Sequence, residues 1–500
     1  MDLLSKIFRF LPHWFTRFFE KSLKSIPSLQ KKIDDEYDTL LGQMEKSIKP
    51  YQGKVESRTT LPAKGISRTA LFSELEGMAA QEQKRWQDGY VSGGVYHGDQ
   101  DHINFLNSIY TLFSQSNPLH SDLFPSIVKF EAEIIAMTGS LLGRDRAKNA
   151  SVCGSVSSGG TESILLAMKT YRDQAREERG ITHPEIITCT TAHAAFDKAA
   201  HYFGIRQIRV PFDSNFKMNI SETKKQINRN TIALVGSAPS FPHGVIDPIE
   251  ELSELAVKHQ VGLHVDACLG GFVLPFAKKL GYPVPLFDFE LPGVTSMSAD
   301  THKYGYAAKG TSVVLYRTEA LRHYQYYTTT EWPGGLYFSP TFAGSRPGAL
   351  SAACYAALIS TGEEGYLKNV DLILKTAEKI KNGIRSISDL KLFGDSLFVI
   401  AFGSDTFDIY RVLDLMAKKH WNLNGLHKPA CLHLAVTLRQ TTPGVAERFL
   451  SDLKESVEFV KKNPSAEGGL APVYGLGATL PFRGLVSDLL KKYMDILYKP

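Results

Sequence analysis

From about residue 126 the chain alternates short apolar runs with helical periodicity, and this alternation limits the fold more than any other feature of the sequence. The spacing predicts helices over 128–142, 161–179, 194–203, 221–228 and 248–259. It predicts strands over 185–190, 207–212, 231–237, 262–265, 294–298 and 312–316. Helices set between short, apolar strands make βαβ units, whose strands pair mostly in parallel under helices on both faces. Past residue 350 the grain changes. Helices over 350–359 and 365–387 precede short strands at 392–393 and 398–401, a helix at 408–418, a strand at 433–436 and a helix at 444–461. The expected fold is therefore α/β, with a mostly parallel sheet in a large domain, a smaller α+β C-terminal domain and a helical N-terminal arm. The expected boundaries are 1–60 for the arm, 61–125 for a segment contributing to the active site, 126–350 for the large domain, 351–470 for the small domain and 471–500 for a tail. No repeat at a fixed period is visible, which excludes solenoids.

With 43% hydrophobic residues over 500 positions, the chain can bury a large core without disulfide staples. Its five cysteines, Cys153, Cys189, Cys268, Cys354 and Cys431, have no CxxC spacing, so zinc-ribbon and thioredoxin-like sites are excluded and small buried thiols in a reducing compartment are expected. The net charge of +5 is mild and concentrated: residues 1–32 carry seven Lys/Arg against Asp2 and Glu20, which leaves the body neutral. A neutral body argues against nucleic acid as a partner. In the arm, Leu3, Leu4, Ile7, Phe8, Leu11, Trp14, Phe15, Phe18 and Phe19 recur at helical spacing with basic residues between them. Lys6, Arg9, His13 and Arg17 interrupt every apolar run, so neither a signal peptide nor a span of the ~20 residues a bilayer needs is expected. Two readings stand for this basic amphipathic helix: peripheral contact with a membrane surface, or packing on the body or a second subunit. The expected location is soluble or peripheral on membranes.

Four local patterns carry chemistry, each with a bland alternative. Ser157-Ser158-Gly159-Gly160-Thr161-Glu162-Ser163 opens a helix whose free N–H groups suit a phosphate, although Gly-rich helix starts are also ordinary caps. His193 follows an apolar strand, where α/β sheets bind ligands and where a structural histidine also occurs. Asp266 ends another apolar strand, placed to pair with a cationic ring nitrogen or to cap a loop. Lys303, in Ala299-Asp300-Thr301-His302-Lys303-Tyr304-Gly305, follows a third such strand, where a solvated lysine is hard to explain and a Schiff-base lysine is not. Phosphate cradle, stacking imidazole, ring-nitrogen partner and reactive amine, in that order, are what pyridoxal 5'-phosphate requires.

The same stretches resemble the fold-type I pyridoxal-phosphate enzymes of the group II decarboxylase clan. With Ser92–Tyr96, Asn117–His120 and Asp300–Gly305 they are similar to the sphingosine-1-phosphate lyases, over about residues 60 to 480. The resemblance implies retro-aldol cleavage of a phosphorylated sphingoid base to a long-chain aldehyde and phosphoethanolamine, an aldehyde-lyase reaction of sphingolipid degradation. It implies Lys303 as the Schiff-base lysine, Asp266 at the ring nitrogen and His193 stacked on the ring. Gly159, Gly160, Thr161, His302 and Ser345 would touch the cofactor, and Tyr96, His120 and Lys309 the substrate phosphate, with assistance to proton transfer the alternative role for Lys309. It also implies a homodimer in which Ser345 reaches the other subunit's cofactor. Each of Lys309, Tyr96, His120 and Ser345 has a plain structural alternative: a solvated lysine, loop packing, a cap and a turn. The eukaryotic members' membrane-spanning N-terminal helix has no counterpart here, only the amphipathic arm. An amino-acid decarboxylase of the same clan is the alternative reading. A non-catalytic scaffold docked through the arm is a third, opposed by the intact Asp266 and Lys303. No metal site is expected.

Overall fold

The computed structural model describes residues 27–464 and 483–500. The amphipathic run from Leu3 to Phe19 lies outside the described residues.

A seven-stranded sheet forms the large unit, from β1 (Cys153–Ser157), β2 (Glu185–Cys189), β3 (Arg206–Val210), β4 (Thr231–Ser237), β5 (Gly262–Asp266), β6 (Ser296–Ala299) and β7 (Ser312–Tyr316). The spatial order is β1-β7-β6-β5-β4-β2-β3, and only β7 runs antiparallel to its neighbours. Every residue of β2 and β4 is buried, as strands covered on both faces must be. Alternate side chains enter opposite cores: Leu234 joins the cluster containing Val265, Leu252 and Phe272, while Ala233 and Val235 join the one containing Ile164, Leu165 and Phe196.

The smaller unit is antiparallel, β10 (Lys391–Phe393), β11 (Val399–Gly403), β13 (Cys431–Ala435) and β12 (Asn424–Leu426) in that order. The two helices expected over 350–359 and 365–387 are one element, Gly348–Arg385, broken at Gly362, whose φ of 58° is the left-handed value that favours glycine. β1 escaped the sequence reading because Cys-Gly-Ser-Val-Ser is too polar to look like a core strand. Its serines are buried all the same, Ser155 accepting from Gln325 Nε2 at 2.9 Å and Ser157 meeting Ser163 Oγ at 2.7 Å. The short hairpin of β8 (Tyr327–Thr329) and β9 (Tyr337–Ser339) and the edge strand β12 were missed for want of length.

The segment expected as a tail contains helix Arg483–Tyr498, which packs on helix Pro27–Ile48. Tyr37 donates to the Leu485 carbonyl at 2.7 Å, and Lys492 pairs with Asp34 at 3.1 Å. All five cysteines are unpaired, four of them buried. Among the described residues no helix is long and apolar enough to cross a membrane, and no cluster of potential metal ligands occurs.

Candidate active site

The carboxyl ends of β1, β2, β5 and β6 deliver their following residues to one cavity of about 390 Å³. Gly159, Gly160, Thr161, His193, Asp266, His302, Lys303 and Lys309 all line it. A larger cavity of about 770 Å³ beside the kink at Gly362, lined by Phe276, Leu358 and Tyr366, holds none of the predicted residues.

After β1 the chain turns through Ser158 and Gly159 into helix Gly160–Arg179, which points the positive end of its dipole into the cavity. Glu162 holds that turn: Oε2 accepts from Ser158 N at 2.6 Å and Oε1 from Phe342 N at 3.2 Å. Gly160 is required sterically. A Cβ there would lie 2.7 Å from both Asp300 carboxylate oxygens and 2.8 Å from Cys268 Sγ. His193 precedes helix Ala195–Phe203, and its Nδ1 accepts from Ala195 N at 3.1 Å, leaving the ring open to the cavity. Asp266 Oδ1 accepts from Cys268 N at 3.1 Å and from Ser298 Oγ at 3.2 Å.

Lys303 lies one turn beyond Asp300, and its Nζ meets Asp300 Oδ2 at 2.9 Å. Burial works against the ammonium, but the carboxylate outweighs it and holds the lysine pKa above its ordinary value. The same pairing, overcoming burial, keeps Asp300 below the ordinary carboxylate range. Asp300 Oδ1 is buried with no hydrogen-bond partner. His302 donates from Nδ1 to the Thr311 carbonyl at 2.5 Å, which leaves Nε2 toward Asp300 at 3.9 Å. Its pKa is lowered, chiefly by burial. Lys309 is exposed at the edge of the cavity, its Nζ 3.3 Å from the His302 carbonyl and 4.5 Å above the Tyr96 ring. Burial, helped by the charge of Lys303, brings its pKa down to about 8. Tyr96 stands behind Lys309, edge-on to Tyr304 at 4.8 Å, with burial raising its phenol pKa.

Two predicted residues are not brought here by the single chain. His120 and Ser345 are exposed on the neighbouring segments 117–121 and 344–346. These are joined by Asn117, which donates to Ser345 Oγ at 3.0 Å and accepts from Arg346 N at 3.2 Å. They border a separate groove of about 370 Å³ lined by Pro118, Leu119, Gly344 and Arg346. Asp300, Glu162 and Phe241 are among the cavity residues that went unassigned from sequence. Spacing held a signal for the first, since a carboxylate three residues before a lysine shares its side of a turn. Phe241 had none, because only the folded 238–245 loop carries it to the cavity.

Known proteins with this arrangement are close in sequence. The family described as "Pyridoxal-dependent decarboxylase conserved domain" matches residues 50–402. The sphingosine-1-phosphate lyase of Arabidopsis thaliana is 47% identical over 485 residues, 95% of this chain and 87% of that protein. The solved sphingosine-1-phosphate lyase of Burkholderia pseudomallei is 43% identical, with a TM-score of 0.84 over 90% of this chain and 99% of its own. The chain belongs to the sphingosine-1-phosphate lyase family. A Lactobacillus brevis glutamate decarboxylase has a TM-score of 0.70 over 84% of this chain and 98% of its own, but at 18% identity it shares the fold alone.

The cofactor of this lyase family member is pyridoxal phosphate, and the residues present fit it. A helix N-terminus crowded at Gly160 suits the phosphate, a buried carboxylate suits a cationic ring nitrogen, and a primary amine lines the same cavity.

Proposed function

We propose that this protein cleaves phosphorylated sphingoid bases, sphingosine 1-phosphate among them, into a long-chain aldehyde and phosphoethanolamine. What carries the reading is likeness along nearly the whole chain to lyases of that name, joined to a site with an amine, a carboxylate and a second cation at its mouth. The bond between the hydroxyl-bearing and amine-bearing carbons breaks. The hydroxyl loses its proton and becomes the aldehyde, and the amine-bearing carbon gains a proton. Pyridoxal phosphate, when bound, supplies the electron sink for the pair released as that bond breaks.

The chain's own residues do the rest. Lys303 Nζ would be the amine that holds the cofactor covalently, and it must first lose the proton that its pairing with Asp300 Oδ2 at 2.9 Å stabilises. Asp266 would pair with the ring nitrogen, and the ring of His193 would close one face of the cavity. The N–H groups at Gly159–Thr161, with His302, hold the cofactor phosphate. Lys309, backed by Tyr96, offers the substrate phosphate a charge-assisted hydrogen bond.

We further propose a homodimer in which His120 and Ser345 complete the partner's site. Their position outside the cavity supports this, as do the large apolar side chains exposed on the surrounding segments 123–128 and 332–342, among them Leu123, Leu336 and Phe338. The basic, aromatic arm is proposed to meet anionic lipid, where a long-chain substrate resides. Removing residues 1–26 should abolish salt-sensitive vesicle binding and leave the dimer and turnover of dispersed substrate intact. Dissociation of the dimer with unchanged vesicle binding would overturn that role.

The decisive experiment incubates the purified, cofactor-loaded protein with phosphorylated and unphosphorylated sphingoid bases and a panel of amino acids, and identifies products by mass. Aldehyde and phosphoethanolamine from the phosphorylated base alone are expected. Decarboxylation of an amino acid without cleavage of the base would overturn the reading.

A further inference from the structure

A file of hydrogen bonds runs through the core behind Asp266. His264 lies two residues before Asp266 on β5, so both side chains leave the same face of the strand. The neighbouring strand β6 sets a serine opposite each, His264 against Ser296 and Asp266 against Ser298. His264 Nδ1 lies 2.7 Å from Ser296 Oγ and its Nε2 3.3 Å from Ser298 Oγ. Ser298 Oγ donates to Asp266 Oδ1 at 3.2 Å. At the far end Tyr171, on helix Gly160–Arg179, reaches Ser296 Oγ at 2.6 Å. Tyr171, Ser296, His264 and Ser298 are each no more than 2% exposed.

Chemistry fixes the direction of this file. An ionised carboxylate only accepts, so the Ser298 hydroxyl must point at Asp266. Its oxygen then accepts from His264 Nε2–H, and Cys268 Sγ, 3.3 Å from the same oxygen, is a second donor to it. His264 Nδ1 is left as an acceptor for the Ser296 hydroxyl, and Ser296 for that of Tyr171. The imidazole is therefore neutral, in agreement with burial, which pulls its pKa down to about 4. Each hydroxyl and ring N–H passes its hydrogen toward Asp266, and bonds aligned in this way polarise one another.

We propose that His264 is a positioning residue of the reaction: through Ser298 it aims a hydroxyl hydrogen at Asp266, so that the carboxylate keeps the charge and orientation that hold the cofactor's ring nitrogen protonated. Neither His264 nor Ser298 lines the cavity, and neither touches the reacting atoms. The inference rests on Asp266 facing the ring nitrogen of pyridoxal phosphate, and its test separates the two.

The test loads wild type, Asp266→Asn, His264→Phe, His264→Gln and Ser298→Ala with pyridoxal phosphate labelled with ¹⁵N in the ring, and records the nitrogen chemical shift together with kcat and KM. Wild type is expected to show the protonated value and Asp266→Asn the unprotonated one. His264→Phe and Ser298→Ala should both move toward the unprotonated value, and kcat should fall on the order of tenfold, the worth of one hydrogen bond to a charged group, with KM little changed. His264→Gln, which keeps a donor, should recover part of the shift. Should His264→Phe not fold, Ser298→Ala, which deletes one oxygen, decides alone. A protonated shift in Ser298→Ala equal to wild type, with Asp266→Asn displaced, overturns the role of His264 and leaves that of Asp266 standing. A shift unmoved in Asp266→Asn overturns both.

Discussion

Lys303 Nζ lies 2.9 Å from Asp300 Oδ2, so the amine proposed to hold the cofactor is half of an ion pair whose carboxylate is buried. A protonated amine cannot attack an aldehyde. The carboxylate that stabilises the ammonium therefore also sets the pH at which the lysine becomes competent. Asp300→Asn removes the largest influence that opposes burial, and burial lowers a lysine pKa. Borohydride trapping of pyridoxal phosphate on the apo protein, followed against pH, should show its midpoint displaced to lower pH in the variant. A midpoint unchanged or displaced upward would mean that Asp300 does not govern Lys303.

Gly160→Ala should force Asp300 or Cys268 to shift and weaken cofactor binding. Its Cβ would lie 2.7 Å from the Asp300 carboxylate and 2.8 Å from Cys268 Sγ, in the wall of the phosphate cradle. Titrating apo protein with pyridoxal phosphate by tyrosine and tryptophan fluorescence should show affinity down at least about tenfold, the equivalent of ~1.4 kcal/mol. Wild-type affinity in the variant would exclude Gly159–Thr161 as the phosphate site.

Lys309 predicts a pH limb. With a pKa brought down to about 8 by burial and by Lys303, it is charged below that pH and neutral above it. If the charge reads the substrate phosphate, kcat/KM, which reports the free enzyme, should decline as pH rises through about 8. Lys309→Arg should move that limb upward, because a guanidinium stays charged. Lys309→Ala should remove the limb and lower kcat/KM by roughly 10- to 100-fold, the worth of a hydrogen bond to a charged group, while keeping the visible absorbance of the lysine-bound cofactor. Loss of that absorbance would assign Lys309 to the cofactor instead.

Asp247 anchors the loop that carries Phe241 to the cavity. Its Oδ1 accepts from Met218 N at 2.8 Å and its Oδ2 from Ser237 N at 2.9 Å, and burial raises its pKa to about 6. Asp247→Ala strands two buried N–H groups, each costing about 1–3 kcal/mol, which thermal or urea unfolding will register. The raised folded-state pKa carries a sign. The folded protein holds this proton more tightly than the unfolded chain, so this group's contribution to stability is largest at acid pH and is lost as pH rises from about 4 to about 6. A variant as stable as wild type would show that the loop needs no such anchor.

The large sheet was legible in sequence because its strands are buried on both faces. Thr231–Ser237 and Ser312–Tyr316 form where their apolar runs predict, and the strand ends then mark where His193, Asp266 and Lys303 must gather. β1 was not legible, since its serines are buried by pairing with other hydroxyls rather than by being apolar. The sequence by itself determined the class of fold and the cofactor chemistry and pointed to the lysine proposed to bear it, because each depends on residue type at a strand end or helix start. Tertiary structure alone decided other contacts on those groups: the ammonium of Lys309 over Tyr96, and the line from Tyr171 through His264 to Asp266. Only the last of these gathers its members from three separate elements, a helix and two strands. The register of β5 on β6, which brings a serine opposite each member on β5, is a long-range pairing that no local window of sequence contains.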